Sequence, residues 1–239
     1  ALPADKKMRL KELMQELSNL NAKFEENLLD ATNAWHKQIT DANELAGLPA
    51  TALALMAQAA EQRGMEGWIL TLEFPSYIPV ITYADNRALR REMYEAYVTR
   101  ASDAGPHAGQ WDNTPIMERI LALRHESARM LGFNNYAEYS VAPKMAHSTE
   151  QVLAFLTDLA ERSMAMARNE LDEVRAFARK HHGQSDLEAL DIAYFSEKLR
   201  QHRYAISMED LKPYFPETKV VAGMFQVVRR LYGLDIREH

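Results

Sequence analysis

Eight histidines, at positions 36, 107, 125, 147, 181, 182, 202 and 239, are the residues best suited to hold a metal in a chain without cysteine. A helical zinc site of the H-E-x-x-H type needs two imidazoles at i and i+4, so that both face one ion while the intervening glutamate activates the bound water. No two histidines here are four apart, and the nearest approach, His125-Glu126-Ser127-Ala128-Arg129, ends on a cation that repels a metal. His125 is therefore expected to be a surface or helix-packing residue. His181 and His182 are adjacent, so on a helix they point about 100° apart and cannot chelate as a pair. With Arg179 and Lys180 they place positive charge at a helix C-terminus, where it complements the macrodipole. Ser76 has no histidine near it in sequence, G-x-S-x-G is absent, and no glycine-rich phosphate loop occurs. The aromatic residues Tyr77, Tyr83, Tyr94, Tyr97, Tyr194, Phe195, Tyr204, Tyr214 and Phe215 remain. They could bind peptide backbone or stabilise an oxyanion, but their ordinary place is a helical core with the hydroxyl at its edge.

The elements that would carry these residues are mostly helical. Apolar positions from Leu10 to Ala42 recur at spacings of three and four, which predicts one long amphipathic helix from Met8 to about Leu45, stopped by Gly47 and Pro49. A second helix is expected from Thr51 to Arg63, closed by Gly64. Between Trp68 and Tyr83 the rhythm changes to period two on both sides of Pro75-Ser76-Tyr77, predicting a β-hairpin over about 67–83. A lone hairpin is marginal in water, so it must pack on helices or join strands from elsewhere. Asp85 is the expected cap of the next helix, with Leu89, Met93, Ala96 and Tyr97 inward and Arg90 and Arg91 outward. Thr114 with Pro115 opens another, ending at Gly132. Further helices are expected at 134–141, from the Ser148–Gln151 capping box to Gly183, at 191–205 and at 218–232.

Composition narrows the function classes. A formal charge of -6 and a pI near 5.8 leave no basic stripe for nucleic acid. The lack of cysteine removes disulfides, thiolate nucleophiles and iron–sulfur ligation, and weakly favours the cytoplasm. No apolar run reaches the roughly 20 residues of a membrane span.

Four motifs, taken in order, carry a resemblance. They are Thr71-Leu-x-x-Pro75-Ser-Tyr-x-Pro-Val80, Arg124-x-x-x-Ala128-x-x-Leu131-Gly-Phe133, Asp191-x-x-Tyr194-Phe195 and Tyr214-Phe-Pro216. In this order and spacing the chain resembles the zinc metallo-oligopeptidases of the thimet-oligopeptidase family over nearly its whole length. The resemblance implies a mainly α fold: long amphipathic helices in a multi-helix array, with one β-hairpin. It also implies a deep channel and hydrolysis of short peptides by a zinc-activated water. The family's H-E-F-G-H helix and its later zinc-ligating glutamate lie downstream of the matching stretch, so no catalytic, cofactor-binding or metal residue is carried over to this chain.

The chain is therefore expected to be a single helical segment of a larger peptidase, lining part of the channel and inactive alone. Its parts are a long helical hairpin over 1–64, a β-hairpin plus helix over 65–103, and a helical region over 114–239. Zinc belongs to the full-length family and is not expected in this segment. Short peptides are the expected substrates of the whole enzyme, and self-association is expected through surface that would face the catalytic domain. The rival expectation is a non-catalytic helical module that binds a peptide or partner helix in a groove.

Overall fold

A computed structural model describes residues 2–237, and His239 lies outside the described residues. The fold is mainly α, with one antiparallel strand pair, as the sequence predicts. The long N-terminal helix α1 is shorter than its apolar spacing implies: it spans Ala4–Ala34, about 46 Å at 1.5 Å per residue. Leu13 and Leu17 form its inward stripe and pack with Ile120 and Leu123 of α5, Thr114–Met130. Arg9–Glu126 at 2.8 Å and Arg119–Glu16 at 2.6 Å close the seam on its solvent side.

Trp35 leaves the helical region at φ -91°, ψ 131°, and strand β1, His36–Ile39, follows. Its partner is β2, Trp68–Thr71, with Ile39 opposite Trp68 and His36 opposite Thr71. Between them lies α2, Ala50–Gln62. The predicted hairpin is thus corrected in its pairing: Trp68–Thr71 is a strand, but it joins one from elsewhere. Its expected second arm folds as helix α3, Phe74–Tyr83.

The reason is visible in α3. Ser76, Tyr77, Val80 and Ile81 are buried, at i, i+1, i+4 and i+5, which is one face of a helix. Pro75 sits in the first turn, where its missing N–H costs nothing. Pro79 lies inside the helix and forfeits one backbone bond. A short apolar run fits either period, and burial of the helical face against α2 and the strand pair selects the helix over the expected strand. The Thr71 N–H is satisfied by Ser76 Oγ at 3.0 Å, locking the strand-to-helix corner.

Two glycines permit close backbone approaches, one beside the strand pair and one at the end of α3. Gly67 has φ +82°, and a Cβ there would lie 2.2 Å from the Ile39 carbonyl oxygen. Gly47, at φ +88°, would meet the Tyr83 carbonyl at 2.3 Å.

Helix α4, Arg87–Val98, is capped by Asn86 rather than Asp85: the Asn86 side chain accepts from the N–H groups of Ala88 and Leu89. Asn113 rather than Thr114 takes the cap position of α5. A short α6, Tyr136–Val141, leads to α7, Thr149–His182. Half of the predicted capping box forms at α7: Ser148 Oγ accepts from the Gln151 N–H, but the Gln151 side chain accepts from the His147 N–H, one residue before the cap, and not from Ser148. Gly183 ends the helix at φ +66°. Helix α8, Ala189–Tyr204, packs on the last third of α7, and α9, Met208–Leu211, and α10, Glu217–Tyr232, complete the chain. The main core joins the strand pair with α2, α3 and α4.

Candidate functional site

Among the described residues the histidines do not assemble a metal centre. His125 is exposed on α5, its neighbour Glu126 is held by Arg9, and Arg129 faces solvent. Among the described residues no three His, Asp or Glu side chains gather closely enough to hold an ion. His181, His182 and His202 surround Phe177, with the His181 and His202 rings 4.7 Å apart. Loss of water around the ring, and then the charges of His202, Lys180 and His182, hold the His181 imidazole below its ordinary pKa.

The aromatic residues fall mainly in the core. Tyr77 stacks on Tyr97 at 3.8 Å, and the Arg100 guanidinium caps the Tyr97 ring at 3.7 Å. Burial, with its tyrosine neighbours adding to it, pushes the Tyr77 phenol up to about 12. The phenol is therefore neutral at neutral pH. Tyr204, Tyr214 and Phe215 are exposed instead.

The most charged interior feature is one that sequence reasoning missed. Arg90, expected on the outward face of α4, is only 2% exposed. It donates to Asp191 Oδ1 at 2.9 Å and to the Ala84 carbonyl at 2.7 Å, and its guanidinium lies 4.0 Å over the Tyr194 ring. Arg87 adds bonds of 2.7 and 3.0 Å to the same carboxylate. Asp191 is fully buried and also accepts the Glu188 N–H, closing the capping box of α8. Burial alone would raise the Asp191 pKa, but the bonds from Arg87, the Glu188 N–H and Arg90 outweigh it and leave the carboxyl below its usual range. The Tyr194 hydroxyl donates to Asp85 at 2.7 Å, and Lys198 pairs with Asp85 at 3.0 Å. Residues 85–90 and 191–198 are thereby locked together, a structural clamp between α4 and α8. The sequence signal for it was the motif Asp191-x-x-Tyr194-Phe195, one half of the clamp.

Open surface lies on the other side of α3. A cleft of about 270 Å³ runs between α2, β2 and the start of α3, walled by Leu55, Met56 and Ala59 and edged by Gln62, Arg63 and Glu73. A second, of about 320 Å³, lies between α2 and the outer face of α3, where Phe74 and Ile78 are exposed. Both clefts combine apolar walls with a few polar groups, a lining that takes a side chain or a stretch of backbone.

A family model described as peptidase family M3 matches residues 80–239, about two-thirds of the chain. The chain belongs to peptidase family M3. It is 55% identical over 237 residues to "Oligopeptidase A" of Salmonella typhimurium, covering 99% of this chain and 35% of that relative. Identity is 43% to two Arabidopsis thaliana proteins, "Organellar oligopeptidase A, chloroplastic/mitochondrial" and "Probable cytosolic oligopeptidase A". These matches cover 99% of this chain and 30% and 34% of those relatives. The chain spans about a third of the length of the curated relatives it matches. No helix among the described residues is long and apolar enough to cross a membrane.

Proposed function

We propose that this chain is the channel-wall segment of a zinc-dependent oligopeptidase that hydrolyses short peptides in the cytoplasm, with the zinc-binding helix carried on polypeptide outside it. The observation that supports this is 55% identity to a protein named for oligopeptide hydrolysis along 99% of the chain. The residues present do not fit a zinc centre: His125 lacks an i+4 partner, and among the described residues no triad of ligands converges. Zinc, when bound in the whole enzyme, would activate the attacking water; no step of that reaction is assigned to this chain.

The chain's own contribution in this reading is to receive and align substrate. The two clefts flanking α3 offer apolar walls for side chains and polar edges at Gln62, Arg63 and Glu73 for backbone. Helix α3 is held rigidly by its buried face, and a rigid wall spares the entropy of ordering a loop around each peptide. Taken by itself, the chain should be inactive and should self-associate through its uncovered apolar surface.

The test is direct. Purified chain supplied with zinc is expected to give no turnover of a fluorogenic oligopeptide above a zinc-only blank. Turnover that a chelator abolishes would show that the chain carries its own metal centre and would overturn the assignment.

A further inference from the structure

The largest feature left unexplained is two helices whose apolar sides are mostly uncovered among the described residues. Residues 153–170 of α7 are all exposed, including Leu153 at 64%, Phe155 at 65%, Leu159 at 53% and Met166 at 62%. Helix α10 buries no residue and is absent from the main contacts between elements. Its Val220, Met224, Val227 and Leu231 are 50–67% exposed at spacings of four, three and four.

At about 100° per residue, Phe155, Leu159 and Met166 form one line along α7, while Leu153, Leu156 and Met164 form a second about 120° away. Together they make an apolar arc of about half the circumference, wide enough for two neighbours. The arc of α10 is nearly as wide, about 160°, because Val221, Phe225 and Val228 extend the Val220–Leu231 seam. A surface helix needs only about 100° of apolar stripe, so neither helix is patterned to face water.

We infer that the first two-thirds of α7 and the whole of α10 form a docking surface for amphipathic helices of the polypeptide that the relatives carry outside the matched third. The inference rests on the functional reading above and names the surface it requires. Three observations favour this occupant. The relatives hold about two-thirds of their length outside the region matched here. Both helices fall inside the stretch that matches the family, so their apolar faces belong to the family's own fold and not to a peripheral addition. The flanks also differ in sign. On α10, Lys219, Arg229 and Arg230 outnumber Glu217, whereas on α7 Glu150, Asp158, Glu161 and Glu170 outnumber Arg162 and Arg168. The helix that covers α10 is thus expected to carry acidic flanks, and the helices on α7 basic ones.

The experiment mixes the 239-residue chain with the remainder of the Salmonella typhimurium relative, made as a separate polypeptide. A one-to-one complex by light scattering is expected, with amide exchange slowed over 149–170 and 217–232. The paired substitution Met224→Asp and Val227→Asp should weaken it at least about 30-fold. These two side chains are exposed and touch no core, so the variant keeps its fold, checked by an unchanged melting curve. Wild-type affinity in that variant, a complex that leaves both helices unprotected, or no complex at all overturns the inference. Tighter pairing of the chain with a second copy of itself through α7 and α10 overturns the choice of occupant. Peptide hydrolysis is read separately: a complex without chelator-sensitive turnover leaves the docking surface standing and removes the functional reading.

Discussion

Asp191→Asn isolates the clamp between α4 and α8. The substitution keeps volume and one acceptor but removes the charge that two arginines share. Arg87 is 35% exposed and retains Glu188 at 2.8 Å, so its loss is cushioned by solvent and by a second partner. Arg90 has no such relief: it is 2% exposed, its Nε already lacks a hydrogen-bond partner, and only the Ala84 and Asp85 carbonyls and the Tyr194 ring remain around it. Breaking a buried pair by removing one partner costs about 3–5 kcal/mol. The Arg90 contribution dominates, so about 3 kcal/mol is expected, a fall in melting temperature of roughly 10 °C for a chain of this size.

Urea unfolding read by tryptophan fluorescence measures it, because Trp35 and Trp68 lie in the adjoining core. The pH dependence supplies a second readout. Asp191 is depressed in the folded state, so its stabilisation is fully present above the unfolded value near 3.9 and is lost as pH falls through the folded value. Wild type should therefore lose stability below about pH 4 more steeply than Asp191→Asn. A loss under about 1 kcal/mol at neutral pH, or identical acid limbs, refutes the clamp. The double substitution Arg90→Met with Asp191→Leu should recover most of the loss, since an apolar pair of similar size removes both buried charges together.

Two further perturbations test the corners of the fold. Gly67→Ala should cost more than about 2 kcal/mol, from positive φ and collision with the Ile39 carbonyl, and should lower strand-pair protection in amide exchange; a neutral result would mean that β1 pairs elsewhere. Tyr194→Phe, which leaves Asp85 with Lys198 alone, should cost about 1–1.5 kcal/mol in urea unfolding and raise the Asp85 pKa by NMR titration, because the Tyr194 hydrogen bond is a main factor lowering it; an unchanged Asp85 pKa would contradict this role.

What the sequence determined by itself was local. The Ser148 cap, Gly64 and Gly183 as left-handed ends, and Pro115 in a first turn mark helices because each satisfies or terminates backbone within a few residues. The family was also legible, since four short motifs in order are enough to carry it. Only the tertiary structure decided what depends on distant partners. Trp35 and Ile39 fit a helical stripe as well as a strand, and the choice fell to Trp68–Thr71, some 30 residues on. The run Ile78–Thr82 alternates as a strand would, yet its helical face has a core to enter and its strand face has no partner. Arg90 reads as a solvated charge until Asp191 arrives from 101 positions away. Burial of charge and pairing of strands are contacts between far points of the chain, and local periodicity carries no information about which far point will arrive.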